Sequence, residues 1–186
     1  MSAPMYRAGT LILYERRGVY EIESIGEPPS SVEGGGLYYK LRSPFSTSNE
    51  IIYTPVDTTA FMRPLIDKAQ AAQYLELCSQ LESCPFSSRK TMDLAAHYRG
   101  MLASCKLEDC LLLIKEIYAK QRELASHSKK LGQVDQQYLK LAERLVCEEF
   151  SAVLHTTPEL VKKQLYAAMR RKTAVSKESA AQKAAL

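Results

Sequence analysis

The sequence has no CxxC pair, no apolar run longer than a handful of residues and no excess of one charge across its body. Its five cysteines, Cys78, Cys84, Cys105, Cys110 and Cys147, are an odd number, and His97, His127 and His155 lie far apart. Zinc-site spacing is therefore absent, and no metal or other cofactor is expected. Reduced thiols packed as small apolar side chains fit this usage, which points to a reducing, cytoplasmic compartment. The apolar stretches, of which residues 111–114 are typical, are far too short to span a bilayer, and residues 1–7 have no basic-then-apolar signal pattern. No membrane partner is expected.

Charge is scarce in sum and uneven in place. The 186 residues carry 25 Lys+Arg against 21 Asp+Glu, a formal net charge of +4. Residues 1–160 nevertheless carry more acids than bases, and the final 26 residues hold seven basic side chains against Glu178 alone. A uniformly basic nucleic-acid-coating protein is excluded, and any nucleic-acid contact in the body must be a local patch. At 46% hydrophobic and 25% charged, the composition is that of a chain that folds.

Composition changes near residue 64. Up to and including it lie six of the eight glycines and six of the eight prolines, with short runs rich in Leu, Ile, Val and Tyr at residues 10–14, 19–25, 37–41 and 50–54. These read as strands, with residues 60–63 supplying a fifth. Five short strands in about 60 residues predict a strongly bent antiparallel sheet or an SH3-like β-barrel. After Pro64 the period becomes helical. Helices are expected from Asp67 to Leu81, from Arg89 or Lys90 to about Ala103 with Met92, Ala95 and Leu102 inward, and over residues 107–124. Two more are expected over about 134–154 and from Thr157-Pro158-Glu159 to about Lys172. The fold class is α+β, mainly α. Its divisions are a β domain over 1–64, a helical bundle over 65–172 and a disordered tail over 173–186. Gly34, Gly35 and Gly36 lack phosphate-loop spacing and read as a hairpin loop.

Catalytic chemistry needs a nucleophile with a base, paired carboxylates or a metal, and no such set stands out. Neighbouring acids such as Glu108/Asp109 and Glu148/Glu149 read as a solvated helix face. Basic pairs at element edges are better candidates: Arg16-Arg17, Arg89-Lys90, Lys129-Lys130 and Lys162-Lys163. Arg89-Lys90 and Lys129-Lys130 precede helix starts, where free N–H groups favour phosphate, and they would be neighbours if those helices begin on the same side. Taken alone, each pair reads more readily as solvated surface than as a binding site. Phe86, just before Arg89, is either a ring that wedges between bases or a staple packed back on its helix. An edge strand of the small sheet could pair with a protein partner, with Tyr38, Tyr39, Tyr53 and Ile52 on or near the contact face, although some of these must fill the core.

The order of these pieces resembles the CarD family of bacterial transcription regulators, whose polymerase-interacting domain is shared with the transcription-repair coupling factor. The resemblance rests on the hydrophobic first strand followed by Gly18-Val19, the Ile22 to Ile25 stretch, Tyr38-Tyr39-Lys40-Leu41, Tyr53-Thr54-Pro55-Val56 and Met62-Arg63-Pro64. In the helical half it rests on Arg89, Tyr98 to Leu102, Ile114 to Tyr118, Lys129-Lys130-Leu131 and residues 142–151. It implies a monomeric, non-catalytic regulator whose Tudor-like domain docks on the RNA polymerase β subunit through Ile51, Ile52, Tyr53, Thr54 and Pro55. The helical domain would then meet promoter DNA at the upstream edge of the transcription bubble, through Lys129 or Lys130, with Phe86, Arg89 and Lys90 as further candidates. The chain departs from the family pattern twice: it has no tryptophan where many relatives carry a minor-groove wedge, and Tyr53 stands where some carry arginine. A protein-only adaptor, using the sheet edge and the helices for two partners, is the competing expectation.

Overall fold

The computed structural model describes residues 5–30, 35–48, 50–82 and 85–170. The tail over 173–186, Arg171, Lys172, Gly34 and Cys84 lie outside the described residues. The chain divides into two compact units, residues 1–66 and 67–186.

The first unit is a five-stranded antiparallel sheet: β1 (Leu11–Tyr14), β2 (Gly18–Gly26), β3 (Tyr38–Arg42), β4 (Ile51–Pro55) and β5 (Met62–Pro64). The strands lie in the order β4-β3-β2-β1-β5. β4 and β5 are therefore edges, and of the two expectations the SH3-like β-barrel is corrected to an open antiparallel sheet. The short runs specified strands but not closure, which needs a further pairing between the two edge strands. Alternation places Ile12, Tyr14, Tyr20, Ile22, Tyr39 and Leu41 in one core, with Ile52 and Met62 packed against it. The register of β2 on β3 shifts between Ile22 and Ser24, so Glu23 sits at a bulge. Gly18, at φ +108°, closes the β1–β2 turn in a conformation that costs a side-chain-bearing residue strain.

The second unit is helical: α1 (Lys68–Gln80), α2 (Thr91–Met101), α3 (Leu107–Ser126), α4 (Gln133–Leu154) and α5 (Pro158–Arg170). Asp67 and Gln70 form a capping box at α1: the Asp67 carboxylate accepts the Gln70 N–H at 2.7 Å, and the Gln70 side chain accepts the Asp67 N–H at 2.9 Å. Thr157 Oγ1 caps α5 through the Leu160 N–H, with Pro158 in the first turn.

α4 packs against α1, α2, α3 and α5, which decides what it buries. Its buried surface is wider than one apolar stripe. Asp135, Glu143, Glu149 and Ser151 are buried beside Leu145, Val146 and Phe150. Glu149 is fully buried, so the expectation that Glu148/Glu149 form a solvated face is overturned for this residue. On α2 the inward residues are Leu94 and Tyr98, while Met92 is 83% exposed. Leu102, just past α2, is buried as expected and Ala95 is half-buried, so the expectation fails at Met92 alone. No described helix is long and apolar enough to cross a membrane.

Candidate functional site

In the sheet unit, β4 pairs only with β3, in the register Tyr38↔Pro55, Tyr39↔Thr54, Lys40↔Tyr53, Leu41↔Ile52 and Arg42↔Ile51. Its other side carries main-chain groups that no strand of the sheet engages, which is the geometry by which a partner adds a strand. Ile52 packs on the core, and Thr54 is buried opposite Tyr39. Alternation leaves Ile51, Tyr53 and Pro55 half-buried on the other face. Of the four candidates for a contact face, Tyr38 and Tyr39 are buried and Ile52 supports the core, so Tyr53 remains.

Beside Tyr53 on that face, Lys40 Nζ lies 2.6 Å from Glu23 Oε2 and Arg42 Nε 3.1 Å from Glu23 Oε1. The Lys40 hydrogen bond first, with the charges of Arg42 and Lys40, holds the Glu23 carboxyl below the ordinary carboxylate range against the opposing effect of desolvation. The bulge puts Glu23 between the two cations.

In the helical unit, Phe86 is anchored. Its ring stacks on His97 with centroids 4.3 Å apart and an interplanar angle of 21°. Its N–H donates to Glu116 Oε1 at 3.0 Å, and the same carboxylate meets His97 Nε2 at 3.1 Å. Glu116 is 5% exposed, so the segment before α2 is pinned to the middle of α3 by a buried acid. Phe86 therefore packs back on the helices, as a staple would, and is half-buried there.

Arg89 and Lys90 are exposed immediately before α2. Ser88 organises this start: its hydroxyl accepts the Lys90 N–H at 3.1 Å and donates to Asp93 Oδ2 at 2.9 Å. Lys129 and Lys130 are exposed on the turn between α3 and α4. That turn is fixed by the Lys129 N–H donating to the Leu124 carbonyl at 2.8 Å and the Ser128 N–H to the Ala125 carbonyl at 3.0 Å, with Ser128 at φ +55°. This is a Schellman cap, which holds the backbone of Lys129 against the end of α3.

The two basic pairs are not brought together by a common start of α2 and α4. It is Tyr98, late in α2, that meets the first turn of α4, donating its hydroxyl to Asp135 Oδ1 at 2.8 Å. Lys90 stands eight residues earlier, about 12 Å away along the helix.

Asp135 Oδ1 also receives Lys120 Nζ at 2.9 Å, joining α2, α3 and α4 around one buried carboxylate. A second buried acid, Glu143, takes Lys162 Nζ at 2.6 Å and the Tyr166 hydroxyl, joining α4 to α5. Sequence reasoning missed both networks, because their members lie 15 to 37 residues apart with no local motif.

Burial pushes the Cys78 thiol up to about 11 and the Cys147 thiol up to about 12, the latter with help from Glu143. Such thiols stay protonated at neutral pH, whereas a nucleophile is the thiolate. Among the described residues, no group of three His, Cys, Asp or Glu side chains could hold a metal ion.

No protein-family model matches the chain, and no curated protein matches its sequence.

Proposed function

We propose that the chain is a non-catalytic bacterial transcription regulator of the CarD type. Its open, Tudor-like sheet docks on the β subunit of RNA polymerase, and its helical bundle touches promoter DNA at the upstream edge of the transcription bubble, changing the stability of the open complex. The observation that carries this reading is the exposed Lys129-Lys130 turn, held by a Schellman cap on a body with no net positive charge. Weak, local DNA affinity of that kind suffices when a docked partner raises the effective concentration of the helical unit at the promoter. The free side of β4 and the Tyr53 face supply the docking element. Sequence preference then comes from the deformability of the melting duplex, with little direct base readout.

A protein-only adaptor is the second reading, and the anchoring of Phe86 on His97 favours it to the extent that a base-step wedge is needed. Docking is tested by pull-down of the polymerase β subunit with the full chain carrying Ile51→Glu and Tyr53→Glu. Both residues are half-buried and lie on the face away from the sheet core, so the variant keeps its fold, as circular dichroism checks. Capture falls at least tenfold. Undiminished capture by the folded variant contradicts docking through β4.

A further inference from the structure

A cleft of about 480 Å³ lies between the last turns of α3 and the first half of α4. Lys129 and Lys130 line it from the turn, Lys140 from α4, and Gln121 from α3, over an apolar floor that includes Leu131 and Leu139. All three lysines are exposed, and among the described residues none has an ion-pair or side-chain hydrogen-bond partner at its Nζ. Three like charges around one cleft repel one another, and a local acid would relieve that repulsion. The carboxylate lining the cleft, Glu143, does not serve, because Lys162 occupies Oε2 and the Tyr166 hydroxyl occupies Oε1. The cleft is thus left with cations to spare and a neutralised acid, a combination that suits a ligand with more than one negative charge.

The space continues past Lys140 into a second cavity of about 290 Å³ near the start of α5. There the balance changes: Glu159 enters the lining, and Lys162 is already paired with Glu143. The unpartnered cations end at Lys140. Lys140 lies seven residues after Gln133, the first residue of α4, which sets it about 10 Å along the helix from the end that carries Lys129 and Lys130. That separation suits successive phosphates of a backbone better than a single one.

We propose that this cleft is a nucleic-acid backbone track in which the Lys129-Lys130 turn holds one end of a short phosphodiester stretch and Lys140 holds the other. The proposal rests on the DNA-contacting reading above and adds to it a third cation and a direction, from the α3–α4 turn along α4. Because α4 packs on four other helices, the backbone that carries Lys140 is fixed.

The test is fluorescence anisotropy of a labelled promoter duplex titrated with the full chain over a series of salt concentrations. Wild type gives a slope of log affinity on log salt of about −2.7, for three neutralised phosphates. Lys140→Gln moves the slope to about −1.8 and weakens binding roughly fivefold to tenfold at 0.1 M salt. Lys140→Arg restores the slope, and Lys68→Gln, on α1, leaves it unchanged. A wild-type slope near −2.7 that Lys140→Gln does not alter overturns the track while leaving DNA contact through Lys129-Lys130 intact. A flat wild-type salt response overturns the DNA reading itself. Displacement of the duplex by ATP at equal phosphate concentration overturns the backbone assignment in favour of a nucleotide site.

Discussion

Replacing Asp135 by alanine lowers the unfolding free energy of the helical unit by about 3 kcal/mol, read as a fall in the urea midpoint of the helical circular dichroism signal. The carboxylate is 3% exposed and its Oδ1 is the meeting point of the Tyr98 hydroxyl and the Lys120 ammonium. Removing it strands a half-buried cation and an inward-facing hydroxyl together, and it also takes an acid from the first turn of α4. The loss sits at the low end of the range for broken buried ion pairs because the Lys120 side chain retains 15% exposure and can turn toward water. Asp135→Asn keeps an acceptor for Tyr98 and loses about 1–2 kcal/mol. Lys120→Met combined with Asp135→Leu removes both charges and recovers part of the loss, since no charge is then left unpaired while the Tyr98 hydroxyl still lacks its acceptor. An alanine variant within about 0.5 kcal/mol of wild type would show that the network does not hold the three helices together.

Stability is full below about pH 9 and falls by several kcal/mol between pH 9 and 11. Burial raises the Cys78 thiol from 9.0 to about 11 and the Cys147 thiol from 9.0 to about 12. The Tyr98 and Tyr166 hydroxyls are pushed up as well, by burial first and then by their hydrogen bonds to Asp135 and Glu143. In all four cases the folded state holds its proton more tightly than the unfolded chain. As pH rises past the unfolded values the unfolded chain sheds protons that the folded one keeps, and each unit of separation is worth up to about 1.4 kcal/mol per group. The fall continues until the folded-state values are passed. Cys78→Ala with Cys147→Ala removes the thiol share, so the alkaline decline becomes shallower and begins nearer pH 10. Urea midpoints measured from pH 7 to 11 check this; a midpoint that stays level to pH 11 contradicts the burial of these groups.

Much of the fold was legible in the sequence. The runs around Ile12, Ile22, Leu41 and Ile52 alternate as half-buried strands do, and the helix starts at Asp67 and Thr157 carry cap residues whose hydrogen bonds are present. Sheet closure was not legible, because local pattern sets a strand's faces and says nothing about whether β4 and β5 meet. On α4 the pattern misled for a physical reason: a helix packed on four sides buries acids such as Asp135, Glu143 and Glu149 once each has a partner, so polarity no longer marks the wet face. On α2, Tyr98 took the core position that Met92 was expected to share.

The candidate site was legible in part. Lys129 and Lys130 stood out as a basic pair before a helix and are exposed on a capped turn. Lys140 did not stand out, since a lone lysine on a helix has no signature until the neighbouring elements form a cleft around it. The staple reading of Phe86 anticipated its packing on α2, but not the Glu116 anchor, which lies 30 residues away.

The lifetime of an open promoter complex, measured with and without saturating protein, goes most directly to the proposed function. A regulator docked on polymerase and touching the upstream edge of the bubble changes that lifetime several-fold. The change disappears with Lys129→Glu and Lys130→Glu, while polymerase capture persists. An identical lifetime with and without the wild-type chain, under conditions where it is bound to polymerase, contradicts the proposal and leaves the protein-only adaptor.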